Sequence, residues 1–320
     1  MYASDPAPLS GAPVARRARG SSELDPLLEA VGRTPLLPLE RIVRAAGGGF
    51  ELLAKAEFLN PTGSVKDRAA VSIVRSALSK GLLGEGQTLV DASSGNTAVA
   101  YAMLGARLGF AVELYVPRNA NPDRVERIRA YGASIVLTDP AEGTDGAQRA
   151  ARQRAAAEPV RVFYPDQYNN PSNPEAHYRT TGPEIWSQTA GRITHFVAGV
   201  GTGGTISGTA RFLKEQRPAV RVFGVEPTGP LHGIEGLKHL PTALRPSTYD
   251  EQLVDETIRV ETEPAQAMQA RLATEEGLSV GVSSGAAVVA ALEVGRSAPG
   301  AVVVTLLPDA GHGAPSEERP

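Results

Sequence analysis

Short runs rich in valine, leucine and isoleucine alternate with amphipathic helical stretches along this chain, and the alternation restricts its fold more than any other feature. The runs are Glu51-Leu-Leu-Ala-Lys-Ala, Thr88-Leu-Val-Asp, Val112-Glu-Leu-Tyr-Val, Ser134-Ile-Val-Leu-Thr, Val160-Arg-Val-Phe-Tyr, His195-Phe-Val-Ala-Gly-Val, Val220-Arg-Val-Phe-Gly-Val and Ala301-Val-Val-Val-Thr-Leu-Leu. Between them, helical stretches are expected over residues 69–83, 96–108, 123–131, 145–158, 205–216, 264–276 and 284–296. Strand–helix–strand crossovers of this kind are right-handed and build parallel sheets with helices packed on them. So many units predict an α/β fold of two domains, each an open, mostly parallel twisted sheet flanked by helices, with a cleft between them. A Pro/Asn-rich segment over residues 167–173 marks the divide. Residues 1–22, rich in Ala, Pro, Ser and Arg and without periodicity, are expected to form a disordered extension.

Composition narrows the function. Across 320 residues the formal net charge is -3 with acids and bases interspersed, so there is no basic stripe for nucleic acid or an anionic membrane, and a small-molecule substrate is expected. The absence of cysteine rules out disulfides, thiolate metal sites and a cysteine nucleophile. Five histidines, His177, His195, His232, His239 and His312, lack metal-ligand spacing and are read as surface or locally hydrogen-bonded residues, so no metal is expected. No apolar stretch is long enough to span a bilayer, and Arg16, Arg17 and Arg19 are not followed by a signal-type apolar segment. A cytoplasmic location is expected.

Four strand-to-helix turns carry the chemistry. The first is Asn60-Pro-Thr-Gly-Ser-Val-Lys-Asp-Arg68, where Pro61 and Gly63 break regular structure and Ser64 is expected to cap a helix with Lys66 in its first turn. Unpaired helix N–H groups there should lower the amine's pKa, and a neutral amine can form a Schiff base with a carbonyl cofactor. Taken alone, Lys66 reads more readily as a surface lysine at a helix start. The second turn, Asp91-Ala-Ser-Ser-Gly-Asn-Thr-Ala98, offers a helix N-terminus to a small anion, with hydroxyls at Ser93, Ser94 and Thr97, close backbone approach at Gly95 and an amide at Asn96.

The third turn, Gly199-Val-Gly-Thr-Gly-Gly-Thr205, is built as a phosphate cradle, its glycines freeing N–H groups and Thr202 and Thr205 adding hydroxyls. Gly199, Gly201 and Gly204 also satisfy G-x-G-x-x-G, with Glu226 near the distance expected of a ribose ligand, which leaves an NAD-dependent dehydrogenase as the alternative. The fourth, Gly281-Val-Ser-Ser-Gly-Ala-Ala287, is by itself ordinary helix capping. Together the turns supply an amine, an anion pocket, a phosphate cradle and a neutral hydroxyl at Ser283, an inventory that fits pyridoxal 5′-phosphate.

In these motifs, and in Gln167-Tyr-Asn-Asn-Pro-Ser-Asn-Pro174 and Val31-Gly-Arg-Thr-Pro-Leu36, the chain resembles the cysteine synthase (O-acetylserine sulfhydrylase) family of fold type II pyridoxal-phosphate enzymes over residues 24–309. The resemblance implies a tryptophan synthase β-like fold, with residues 23–57 and 168–320 forming a larger cofactor-binding domain and residues 58–167 a smaller mobile one. It implies that Lys66 holds the cofactor and moves the substrate's α-proton. Asn96 would bond the cofactor's ring oxygen, Gly201, Thr202, Gly203, Gly204 and Thr205 its phosphate, and Ser283 its pyridine nitrogen. Ser93, Ser94, Gly95 and Thr97, with Gln167, would hold the substrate carboxylate. A serine opposite the ring nitrogen makes a milder electron sink than an aspartate, suited to losing a β-leaving group rather than to transamination.

The implied reaction is a β-replacement by a transferase that makes L-cysteine from O-acetyl-L-serine, or O-phospho-L-serine, and sulfide or another sulfur donor, through an aminoacrylate. The alternatives are a cystathionine β-synthase-like condensation of serine with homocysteine and, in another class, a non-catalytic regulatory homologue. A homodimer is implied, and docking of a serine acetyltransferase tail is allowed by it. The chain departs from the family pattern at Ser93, at Ala98, and after Asp309, where Asp-Ala-Gly-His-Gly replaces a longer ending. Lys238, in Gly233-Ile-Glu-Gly-Leu-Lys-His239, is read either as a receptor for a substrate phosphate or as a solvated helix-end lysine.

Overall fold

Apolar runs flanked by turn residues become the strands β1 Leu36–Pro38, β2 Glu51–Ala56, β3 Thr88–Ala92, β4 Ala111–Pro117, β5 Ser134–Thr138, β6 Val162–Phe163, β7 His195–Gly199, β8 Arg221–Pro227, β9 Glu256–Val260 and β10 Val302–Leu307. They are seen in a computed structural model that describes residues 25–311, so the extension expected over residues 1–22 lies outside the described residues. A six-stranded sheet has the order β1-β2-β10-β7-β8-β9, and a four-stranded sheet the order β5-β4-β3-β6. Every pairing is parallel except β1 with β2, as crossover connections require.

β10 is buried at all six positions because helices cover both faces of the sheet at its centre. On one face Ile42, Met268, Leu272, Val288 and Leu292 join Val197, Val303 and Leu307 in a single core, and on the other Ile185, Ile206 and Leu213 pack with Phe196, Val222 and Val304. The four-stranded sheet is covered likewise. Val74, Leu104 and Ile128, from the helices Lys66–Ser79, Asn96–Leu108 and Pro122–Ala130, pack with Leu89 and Leu114, while Ala147 and Ala151 of Gly143–Ala157 pack with Val90 and Ala92.

The expected strand over residues 160–164 contracts to β6, because Val160 is solvent-exposed and Arg161 and Val162 turn back to bond the Glu158 carbonyl. β1, β9 and the helices Ser172–Arg179 and Thr181–Gln188 go beyond the elements read from the sequence. β9 alternates outward Glu256, Thr257 and Arg259 with inward Ile258 and Val260, an edge-strand pattern too short to stand out locally. The first of these helices starts immediately after Pro171, where proline and asparagine read as a linker, and the second follows it at Thr181.

A buried ion cluster fixes the helix Lys66–Ser79 against β2. Arg68 pairs with Glu57 (Nε to Oε2, 2.7 Å) and with Glu184 (Nη1 to Oε1, 2.7 Å), and the fully buried Lys55 reaches Glu184 at 2.7 Å. Burial alone would raise the pKa of Glu57, but the Arg68 guanidinium outweighs it and holds the carboxyl below the usual carboxylate range. The helix that opens with Lys66 is therefore anchored two residues further on.

Candidate active site

Lys66 begins its helix, but Ser64 does not take the N-cap position its context predicts. Val65 stands there without a side-chain cap, and Ser64 Oγ accepts a 3.3 Å bond from the Lys66 N–H. The reason is tertiary: Ser64 forms an antiparallel bridge with Asp309 at the end of β10, which draws its backbone out of the helix. The turn before it is held by Asp67, whose carboxylate accepts from the Thr62 N–H (2.7 Å) and from the Thr62 hydroxyl. Gly63 occupies the left-handed region (φ 83°), as a turn of this shape requires.

The Lys66 amine faces a cavity of about 330 Å³ lined from both sheets. Its pKa is lowered, first by burial and then by the Arg124 guanidinium, while the Asp309 carboxylate opposes the shift. The lowering has the expected direction but a different cause from the helix N-terminus.

Ser93, Ser94, Gly95, Asn96 and Thr97 line the same cavity at the C-terminal end of β3, where the helix Asn96–Leu108 begins. A Cβ on Gly95 would stand in open space. Thr97 Oγ1 donates to Gln167 Oε1 at 2.8 Å, so Gln167 joins the loop as expected, and both side chains are buried. Asn173 then ties this group to the glycine turn, donating through Nδ2 to the Gln167 carbonyl (2.8 Å) and to Thr202 Oγ1 (3.1 Å).

Gly201, Thr202, Gly203 and Thr205 line the cavity between β7 and the helix Gly204–Gln216. Gly204 does not: a Cβ there would fall 2.0 Å from Asn173 Oδ1, so its role is to let the helix start approach Asn173. At Gly201 a Cβ would fall 2.3 Å from the Gly236 carbonyl oxygen, and Gly203 adopts φ 82°; both positions require glycine. Thr205 Oγ1 meets Nε2 of the buried His177 at 3.2 Å, and His177 Nδ1 meets Thr181 Oγ1 at 2.8 Å. Burial pushes that imidazole down to about 3, so it is neutral. Ser283 reaches the cavity from the helix Val282–Ser297.

Glu226 is buried at the end of β8, outside the cavity wall, where burial raises its pKa. Lys238 does line the cavity, its amine 4.7 Å from the Tyr168 ring centroid, and its segment is irregular rather than helical, which corrects the helix-end reading.

Sequence reasoning missed Asp309, Arg124 and Glu235. Arg124 forms a two-pronged pair with Glu235 across the cavity wall (2.5 and 2.9 Å). Asp309 accepts a 2.8 Å bond from Asn96 Nδ2. Its signal was its position at the C-terminal end of a central parallel strand, where ligands of open α/β sheets bind. Among the described residues no group of three or more His, Asp and Glu side chains is placed to hold a metal, and no helix is long and apolar enough to cross a membrane.

The residues present fit a pyridoxal phosphate group: a partly buried amine, a glycine cradle that side chains would fill, a helix-start hydroxyl and an amide donor share one cavity. Residues 27–309 match the family model described as pyridoxal-phosphate dependent enzyme. A cysteine synthase of Aquifex aeolicus is 48% identical over 291 residues, covering 89% of either chain. Cysteine synthase B of Salmonella typhimurium is 42% identical over 90% of this chain and 93% of its own. The crystal structure of a cysteine synthase from Entamoeba histolytica superposes with a TM-score of 0.85 at 31% identity, covering 94% of this chain and 91% of that one.

Proposed function

This chain belongs to the pyridoxal-phosphate dependent enzyme family, and on that premise we propose that it is a cysteine synthase that replaces the β-acetoxy group of O-acetyl-L-serine with the sulfur of sulfide or another donor. The observation that carries the reading is the convergence of Lys66, Asn96, Ser283 and the glycine turn on one cavity. Lys66 would hold the cofactor, residues 201–205 its phosphate, Asn96 its ring oxygen and Ser283 its ring nitrogen. When bound, the cofactor supplies an electron sink for charge developing at the substrate's α-carbon.

The chain's own residues do the rest. The helix start at Asn96 and the hydroxyls of Ser93 and Ser94 receive the substrate carboxylate, while the Thr97 hydroxyl, whose proton goes to Gln167 Oε1, orients that amide beside them. Because Gln167 Oε1 accepts from Thr97, the amide nitrogen of Gln167 is left as the donor toward that carboxylate. Burial favours the neutral Lys66 amine, which takes the α-proton as acetate leaves and returns it after sulfur has added. Residues 58–167, which carry the carboxylate loop, form the smaller unit that closes over the substrate and keeps water out. As part of the same proposal the enzyme works in the cytoplasm as a homodimer, and a serine acetyltransferase tail is the macromolecular partner to test for.

The test is the visible absorption spectrum of the purified protein. A cofactor band that changes on adding O-acetylserine and returns on adding sulfide supports the reaction and the acetylated substrate together. A band that responds only to O-phosphoserine moves the leaving group to phosphate and assigns Lys238 to it. No band after reconstitution with pyridoxal phosphate overturns the reading.

A further inference from the structure

Asp309 joins three of the four chemistry-bearing turns. Beside the Lys66 turn, the Val65 N–H donates to the Pro308 carbonyl (2.8 Å) and the Ala310 N–H to the Gly63 carbonyl (3.1 Å). Beside the Ser283 turn, the Gly281 N–H donates to the Asp309 carbonyl (3.1 Å), and a Cβ on Gly281 would fall 2.2 Å from Asp309 Oδ1. Only glycine leaves room for the carboxylate there. The third link is made by the side chain: Asn96 Nδ2, 213 residues away in sequence, donates to Asp309 Oδ2 at 2.8 Å across the gap between the two sheets' bodies.

The chemistry of that bond is directional. A primary amide can rotate to exchange its oxygen and its NH2, and an ionised carboxylate accepts hydrogen bonds but donates none. Facing Asp309, the Asn96 side chain must keep its nitrogen on the carboxylate side, which places the second N–H of the same nitrogen, a donor, at the disposal of the cavity. An oxyanion on the ligand needs that donor and would be repelled by the amide oxygen.

Resting on the function proposed above, we propose that Asp309 is a positioning residue for this reaction: its carboxylate locks the Asn96 amide with its donor side toward the ring oxygen of the cofactor. Asparagine at 309 keeps the size and the backbone links but both donates and accepts, so it no longer dictates the orientation.

The test is a double-mutant cycle on the full-length holoenzyme with Asp309→Asn, Asn96→Ala and the two combined, reading the cofactor's dissociation constant and visible absorption maximum. Loss of a hydrogen bond to a charged group sets the expected weakening of cofactor binding at about 10-fold for either single variant. The double variant is expected to bind no more weakly than Asn96→Ala alone, and all three to show the same displaced absorption maximum. Asp309→Asn with wild-type affinity and spectrum overturns the inference, as does a double variant whose loss is the product of the two single losses, since Asp309 would then act independently of Asn96. Thermal melts of the variants identify unfolding, in which case Asp309→Glu, which keeps the acceptor-only carboxylate, must restore the wild-type absorption maximum or the inference fails. A wild-type protein that takes up no cofactor overturns the functional reading, and this inference with it.

Discussion

Replacing Arg68 with methionine tests whether the ion cluster anchors the Lys66 helix. Methionine keeps most of the apolar stem but leaves Glu57, which is fully buried, without the guanidinium that bonds it at 2.7 and 2.8 Å. Glu57 would retain the Thr34 hydroxyl at 2.7 Å and the Asn60 amide at 2.9 Å, so its anion remains partly satisfied. Glu184, which reaches solvent, keeps Lys55. Stranding one member of a buried pair costs about 3–5 kcal/mol, and the two surviving bonds place the expected loss at the lower end of that range. The sign with pH follows from Glu57. Its folded pKa lies below the unfolded one, so in the parent it contributes stability above the unfolded value that is lost as pH falls. Without Arg68 the stranded carboxyl prefers its proton, so the penalty of the variant is largest at neutral pH and shrinks toward pH 4. Trp186, on the same helix as Glu184, reports the transition by fluorescence in a denaturant titration. A loss below about 1 kcal/mol at pH 7, or a loss as large in Glu57→Gln/Arg68→Met as in Arg68→Met, would refute the reasoning.

Three further outcomes are expected. Lys66→Ala should retain weak cofactor binding but lose about 100- to 10,000-fold in cysteine formation; near-normal turnover in a sulfide assay would sink the assigned role. Gly201→Ala sets a methyl against the Gly236 carbonyl oxygen, so that backbone must move: cofactor affinity should fall by at least about 10-fold in an absorbance titration, and the melting temperature should fall with the loss of about 1–3 kcal/mol of stability. Burial pushes the Asp91 carboxyl up from 3.8 to about 7, so the proton it holds on folding stabilises at low pH and that contribution is lost as pH rises toward 7. Asp91→Asn removes this dependence, and its advantage over the parent in denaturant midpoints should grow between pH 4 and 8; a constant difference would show that Asp91 does not titrate there.

The alternating runs, the helix Asn96–Leu108 and the strand Ser134–Thr138 were legible because periodicity and turn residues are properties of neighbouring residues. The cofactor family was legible for a related reason: each turn carries its own glycines, hydroxyls and helix start within a few residues. The sequence by itself therefore determined the α/β class, the strand-to-helix turns and the inventory of groups they present. The tertiary structure decided which of those groups meet. It drew Ser64 out of its cap by pairing it with Asp309, turned Gly204 toward Asn173 instead of the cavity, and buried Glu226 at the end of β8. It also brought Asp309 to Asn96 and Arg124 to Glu235 across 213 and 111 residues. Hydrogen bonds and ion pairs act over a few ångströms, and only the crossover connections of the two sheets bring such distant residues within that range.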